Sequence, residues 1–243
     1  MQRFRRLPGM GALAAALGAA APAGAIVQGG PAPELAPHTV MVVERQGFCS
    51  ATALAPDVVL TAAHCVAGKE VRVFYRDAAN APAFLAPRAV AVHPGYVKGA
   101  EQSRRKSIDL ALVRLAEPLP KGFAPAALSE ATRPTAGETW TVAGYGLQTE
   151  GEPRSGGQFR AAPLPVVEPY GPSSILVWLK SPGRGACTGD SGGPIFAPDG
   201  GLGAVTVWAE GTGKSRCGAL TQGVLVAPQR AWIDKTLAGW GAR

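Results

Sequence analysis

The sequence predicts an all-β protein, and two observations carry that prediction. The first is composition: 32 glycines and 22 prolines among 243 residues, with only 17% charged side chains. That balance suits many short strands joined by turns better than long helical faces. The second is pattern. Apolar runs of about four to eight residues recur between breaks containing Gly, Pro, Asp or Asn, and no amphipathic helical stretch interrupts them before the C-terminus. At 47% hydrophobic residues, the chain can bury the core of one compact unit or of two small ones.

Taken in order, the chain opens on a segment that reads as an export signal. Arg3, Arg5 and Arg6 form a basic head, and Met10 to Ala21 is rich in alanine and leucine. Pro22 then breaks the run, and Ala23-Gly24-Ala25 offers small residues to a signal peptidase. The apolar run is far short of the roughly 20 residues of a spanning helix, so removal of residues 1–25 is expected. The Arg5-Arg6 pair does not by itself establish a twin-arginine route. Export to a secreted or periplasmic location follows, with no membrane attachment after signal removal. Strands are predicted over Thr39 to Val43, Cys49 to Leu54, Val58 to Thr61, Val71 to Tyr75, Ala89 to Val92 and Asp109 to Leu115. Ala131-Thr-Arg-Pro-Thr-Ala-Gly137 is a turn-rich linker that divides residues 26–131 from residues 132–243. Beyond it, strands are predicted over Arg160 to Val167, Ile175 to Leu179, Ala204 to Val207 and Gly223 to Val226. A C-terminal helix over Ala227 to Leu237 carries Pro228 in its first turn.

The chemistry concentrates in three stretches. Gly189-Asp190-Ser191-Gly192-Gly193 sets a serine among glycines, which tolerate a sharp turn and let a substrate approach the main chain. Alone, that run is as well explained by a surface turn. A hydroxyl is a poor nucleophile at neutral pH, so catalysis needs a base for its proton and donors for the oxyanion it creates. The N–H groups of Gly189 and Ser191 are candidates for those donors. His64 follows the apolar Val58-Val59-Leu60 and adjoins Cys65, and Asp109 heads another apolar run. Together, Thr61-Ala-Ala-His64-Cys65, Asp109-Leu-Ala-Leu and Gly189-Asp-Ser191-Gly-Gly-Pro194 resemble the trypsin/chymotrypsin-like serine proteases, in that family's order of His, Asp and Ser. A bacterial-type secreted member is the expectation.

The resemblance implies two antiparallel six-stranded β-barrels, over residues 26–131 and 132–243, with the helix at the end. Thr139-Trp-Thr-Val-Ala-Gly-Tyr-Gly146 resembles the family's strand ending in Gly-aromatic-Gly. It implies a serine endopeptidase in which His64 shuttles the proton of Ser191, Asp109 holds the imidazole, and Gly189 and Ser191 form the oxyanion hole. Histidine suits the shuttle because its pKa lies near neutrality. Ile26-Val27-Gln28-Gly29-Gly30 is similar to the family's mature start, whose freed ammonium pairs with the acid before the nucleophile, here Asp190. Since Ile26 directly follows the export signal, signal peptidase itself is expected to generate that terminus. Four cysteines allow three pairings; the resemblance implies Cys49 with Cys65 and Cys187 with Cys217. With no C-x-x-C, a zinc site is not expected, nor is any cofactor.

Specificity is read from the same likeness. Gly185, six residues before the nucleophile, stands at the pocket floor where trypsin-like members carry an aspartate. A buried guanidinium there would lack its counter-charge, so cleavage after Lys or Arg is not expected. Gly223 is expected to keep one pocket wall open, and Thr206 to stand where a serine usually bonds the triad aspartate. Val207-Trp208-Ala209 departs from the usual tryptophan-glycine order. Either a bulge restores the pattern, favouring medium or large apolar side chains, or Trp208 leans in and favours small ones. Arg184 beside the floor could instead admit an acidic residue. His38 and His93 are expected to be structural, and Arg104-Arg-Lys106 a solvated loop near the cleft. Without the signal arginines the chain carries +4, from 21 Lys and Arg against 17 Asp and Glu, with no nucleic-acid motif. The partners expected are polypeptide substrates and protein inhibitors, acting on a monomer. An esterase of the α/β-hydrolase type fits the G-x-S-x-G spacing but not the chain order of the triad. A silent binding module on the same scaffold is the remaining alternative.

Overall fold

The computed structural model describes residues 26–45, 47–68, 70–100 and 106–242; the expected signal segment and Arg104-Arg105 lie outside the described residues. Seven strands build a first antiparallel sheet: β1 Thr39–Glu44, β2 Gly47–Ala55, β3 Val58–Thr61, β4 Arg72–Arg76, β5 Pro82–Leu85, β6 Pro87–Val92 and β7 Ala111–Leu115. Their order is β5-β4-β1-β2-β3-β7-β6. Ala86 alone separates β5 from β6, so one bent strand serves both edges of the sheet and curls it on itself. This is the outcome for the first of the two expected six-stranded barrels: a half-barrel sheet, seven-stranded because one strand is split.

The second sheet is a closed barrel in the order β10-β13-β12-β11-β8-β9. Its strands are β8 Thr139–Gly144, β9 Arg160–Val167, β10 Leu176–Lys180, β11 Pro194–Phe196, β12 Leu202–Glu210 and β13 Leu220–Leu225. The period of two is plain in β9, where Leu164 and Val166 are buried while Pro163 and Pro165 point outward. Those prolines are tolerated because β10 pairs with β9 only at Val166 and Val167 and Gly30 bridges it only at Ala161, leaving Pro163 and Pro165 without a strand partner on that side. Trp140, Val142, Leu164, Leu179, Ile195 and Leu225 fill this barrel. Val40, Val42, Val59, Val73 and Val113 fill the first sheet.

A third apolar cluster joins the halves. It sets Leu60, Leu110 and Leu112 of the first sheet against Val205, Val224 and Ile233. Ile233 is the fully buried anchor of α1, Arg230–Trp240, worth about 2–3 kcal/mol of burial. Pro228 lies one step earlier than expected, in a 3-10 turn over Ala227–Gln229 that leads into α1. The helix thus follows the second barrel in the chain yet packs across the junction. Residues 26–30 also depart from the expected division: Val27 bridges Gly185 and Gly30 bridges Ala161, both in the second half.

Candidate active site

His64 sits in a 3-10 turn, Ala63–Val66, that starts two residues after β3 ends. Asp109 lies just before β7, which is paired with β3 from Thr61↔Ala111 onward. That register brings the two side chains together without any sequence proximity. Asp109 receives both polar groups that His64 presents: Oδ1 accepts the backbone N–H at 3.0 Å, and Oδ2 lies 2.6 Å from Nδ1. The carboxylate therefore selects the tautomer with Nδ1 protonated and holds the ring by that nitrogen. The imidazole is 36% exposed and the carboxylate 13%, so the ring is open on one side and its anchor is not.

Ser191 lies in the turn that leads into β11. The turn is pressed against the residues preceding His64: a Cβ on Gly192 would stand 2.1 Å from Thr61 Oγ1 and 3.1 Å from the Ala62 nitrogen. A side chain is thus impossible at Gly192, whose φ of +79° also suits glycine. Gly189, at φ +94°, is equally constrained, because its Cβ would meet the Phe48 ring at 2.4 Å. Within this turn the Thr188 carbonyl accepts the Leu147 N–H at 2.7 Å, and the Asp190 carbonyl accepts that of Gly193 at 2.9 Å. In a planar trans peptide the N–H points opposite to the carbonyl. The Gly189 and Ser191 N–H groups are accordingly turned away from these anchors.

Asp190 is completely buried beneath the turn. Its carboxyl accepts N–H bonds from Gly146 at 2.7 Å and Cys187 at 2.9 Å, and a third from Ile26. Burial nevertheless outweighs these bonds and lifts its pKa from 3.8 to about 7. Ile26 is itself fully buried, at an unusual φ of +53° for a β-branched residue. Main-chain bonds in both directions between Val27 and Gly185 hold this entering segment.

At the expected pocket floor Gly185 has φ +153°, and a Cβ there would meet Thr221 Oγ1 at 2.9 Å. Two expectations are corrected in this region. Gly223 does not line a pocket wall: a Cβ on it would meet Ile195, Ala204 and Val177 of the barrel core. Thr221, two residues earlier, is the residue that meets Gly185; it is fully buried, with Oγ1 accepting the Ala186 N–H at 2.9 Å and Ala209 directly across the strands. The Thr206 hydroxyl does not bond Asp109; it is buried without a partner among the described residues. Thr206 acts through its backbone instead, accepting the Gly192 N–H at 2.6 Å and donating to the Gly193 carbonyl at 2.9 Å. Of the two alternatives left open at Val207-Trp208-Ala209, the strand shows the bulge, which lies between Thr206 and Trp208 and takes up Val207. Val207 and Trp208 both line a cavity of about 410 Å³ that reaches Asp109, walled also by Tyr96, Tyr170 and Trp178.

Disulfides join Cys49 to Cys65 and Cys187 to Cys217. The ligand atoms of Cys49, Cys65 and His64 cluster closely, but both sulfurs are spent in a disulfide and neither is a thiolate that could bind a metal. His38 Nδ1 lies 2.7 Å from the Ala124 carbonyl. His93 packs edge-on to Trp232 at 4.7 Å and accepts the Gly95 N–H through Nδ1 at 3.0 Å. Phe48 and Thr221 went unread in the sequence, since their roles exist only across strands. No helix among the described residues is long and apolar enough to cross a membrane.

Comparison with known proteins bears on the family and the fold. The family model for Trypsin matches residues 26–233. Coagulation factor XII of Sus scrofa is 29% identical over 195 residues, covering 67% of this chain but 31% of that protein. The chain thus spans about a third of the length of that relative. Kallikrein-15 of Homo sapiens is 31% identical over 194 residues, covering 68% and 72% of the two chains. Trypsin iota of Drosophila melanogaster is 27% identical over 219 residues, covering 82% and 83%. These are animal proteins, so the expected bacterial type draws no support from them. Among solved structures, neuropsin, a serine protease expressed in the limbic system of mouse brain, superposes with a TM-score of 0.72. At 23% identity over 87% of this chain and 100% of that one, it speaks for the fold alone.

Proposed function

The chain belongs to the trypsin-like serine proteases, and from that premise we propose that it is an exported serine endopeptidase using Ser191, His64 and Asp109. The observation that carries this reading is the doubly held His64–Asp109 pair standing beside the Ser191 turn. In the proposed reaction Ser191 Oγ attacks a peptide carbonyl while its proton passes to His64 Nε2. The negative charge on the former carbonyl oxygen is met by the Gly189 and Ser191 N–H groups. His64 then returns the proton to the leaving amine, and water repeats the sequence on the acyl-enzyme. Asp109 stabilises the imidazolium in both halves.

The P1 residue, on the amino side of the scissile bond, is proposed to be small to medium and uncharged. Gly185 offers no counter-charge, so a buried guanidinium or ammonium would be disfavoured by several kcal/mol. Thr221 stands against the floor and Ala209 faces it, which limits depth. Side chains further toward the substrate's amino end are assigned to the aromatic cavity beside Asp109. Activation is proposed to follow release of Ile26, whose ammonium would neutralise Asp190.

The test is cleavage of a randomised peptide library by the chain beginning at Ile26, with Ser191→Ala as control. Cleavage after Ala, Val, Ser or Thr, absent in the control, is the expected result. A profile dominated by Arg or Lys contradicts the pocket assignment. No cleavage of any peptide, with Asp190 and Ile26 paired, contradicts the hydrolase.

A further inference from the structure

Ser50 is a fully buried residue of β2, in the half of the molecule opposite the nucleophile. Each of its four polar functions is engaged. Its hydroxyl donates to the Gly189 carbonyl at 2.9 Å and accepts the Tyr145 N–H at 2.9 Å. Its own N–H donates to the Ser191 carbonyl at 2.8 Å, and its carbonyl accepts the Thr61 hydroxyl at 2.9 Å. Three of these bonds cross to the second half, and two end on the nucleophile turn.

The carbonyls of Thr188, Gly189, Asp190 and Ser191 are all anchored, by Leu147 N–H, Ser50 Oγ, Gly193 N–H and Ser50 N–H in that order. The N–H groups proposed to receive the oxyanion belong to the first and third of these peptide units. The unit between them is pinned by the Ser50 hydroxyl. Gly189 gives this stretch wide conformational freedom, so something outside the turn must remove that freedom if the two donors are to converge. Ser50 is placed to do so. Its hydroxyl adds a second restraint by holding the Tyr145 amide, two residues before Leu147, which anchors the first unit.

We propose that Ser50 is a positioning residue for the oxyanion hole, its hydroxyl bridging Tyr145 and Gly189 so that both donor N–H groups are fixed before substrate arrives. The inference rests on the serine endopeptidase reading. Ser50 touches no substrate atom in this role. Its effect is confined to states in which charge develops on the carbonyl oxygen.

The experiment compares wild type, Ser50→Ala, Ser50→Gly and Ser129→Ala, all beginning at Ile26. Ser129→Ala removes the hydroxyl of another buried serine, whose bond to the Asp199 carboxylate at 2.8 Å does not reach the turn. The readouts are kcat, KM, melting temperature and the inhibition constant of a peptide boronic acid, whose tetrahedral adduct carries an oxygen into the hole. Direct loss of an oxyanion donor costs about 10²–10³ in turnover, so loosening one is expected to cost roughly tenfold to a hundredfold. Ser50→Ala should lower kcat and weaken the boronate by matching factors, with KM within about twofold. Ser129→Ala should lower the melting temperature and leave both constants within about twofold. Should Ser50→Ala not fold, Ser50→Gly removes the same hydroxyl and carries the same expectation. Ser50 variants that lose stability yet keep kcat and boronate affinity overturn the proposal. A wild-type chain inert to substrate and boronate alike overturns the endopeptidase reading beneath it.

Discussion

Freeing the amino group of Ile26 should change how stability depends on pH, and Asp190 sets the size of that change. In the uncut chain the Asp190 carboxyl is completely buried and its pKa rises from 3.8 to about 7. A lift of about three units corresponds to roughly 4 kcal/mol between its protonated and ionised forms. Because the folded value lies above the unfolded one, the folded state holds the extra proton. The stabilisation is complete below about pH 4 and is lost as pH rises through about 7. Cutting before Ile26 places an ammonium, charged below about pH 8, where the peptide N–H now meets the carboxyl. Opposite charge draws the Asp190 pKa down, and the loss disappears. The cut also frees Ile26 from its φ of +53°, relieving strain of about 1–3 kcal/mol at any pH. The assay is urea unfolding of Ser191→Ala, which cannot digest itself, with and without residues 1–25, at intervals between about pH 4 and 7. The cut form should gain on the uncut form by a few kcal/mol across that range. Parallel curves, or a gap that narrows toward neutrality, would refute the reasoning.

Other predictions concern the pocket, His93 and a disulfide. Thr221→Gly should open the floor and raise kcat/KM for Leu or Phe at P1 by about tenfold or more, the scale of one or two methylenes in an apolar pocket; a panel of peptide amides checks this. Gly185→Asp should fail to create cleavage after Arg and should lower the melting temperature, because φ is +153° and Thr221 stands 2.9 Å from the new Cβ. His93 has its pKa lowered by burial from 6.5, so its contribution is present above about pH 6.5 and lost as pH falls through the folded value. His93→Gln should therefore flatten the acid limb of a stability curve. Replacing Cys187 and Cys217 with alanine should cost about 3 kcal/mol in unfolding free energy, measurable by denaturant titration.

The parts of this molecule legible in the sequence are those whose signal is local. His64, Asp109 and Ser191 each adjoin an apolar run that becomes a strand or leads into one, so their motifs could be found without knowing which strands pair. The strand over Val58–Thr61 and that over Arg160–Val167 were read to the residue, because a turn former or a change of period bounds each. Two strands escaped. Pro82–Leu85 is a short, partly exposed edge, and Pro194–Phe196 is a buried strand of only three residues directly after the Ser191 turn. Two pocket assignments carried over from the family likeness failed on β12, which bulges at Val207, and on its neighbour β13. Thr206 lost its expected bond to Asp109, while Thr221 rather than Gly223 came to face Gly185. Ser50 carried no signal at all, since its partners lie 95 and 139 residues away.

The measurement that bears most directly on the whole account is covalent labelling of the chain beginning at Ile26 with a fluorescent organophosphonate, followed by mass mapping of the adduct. One adduct on Ser191 is predicted, absent in Ser191→Ala and strongly slowed in His64→Ala. Labelling elsewhere, or labelling of Ser191→Ala at the wild-type rate, would contradict it.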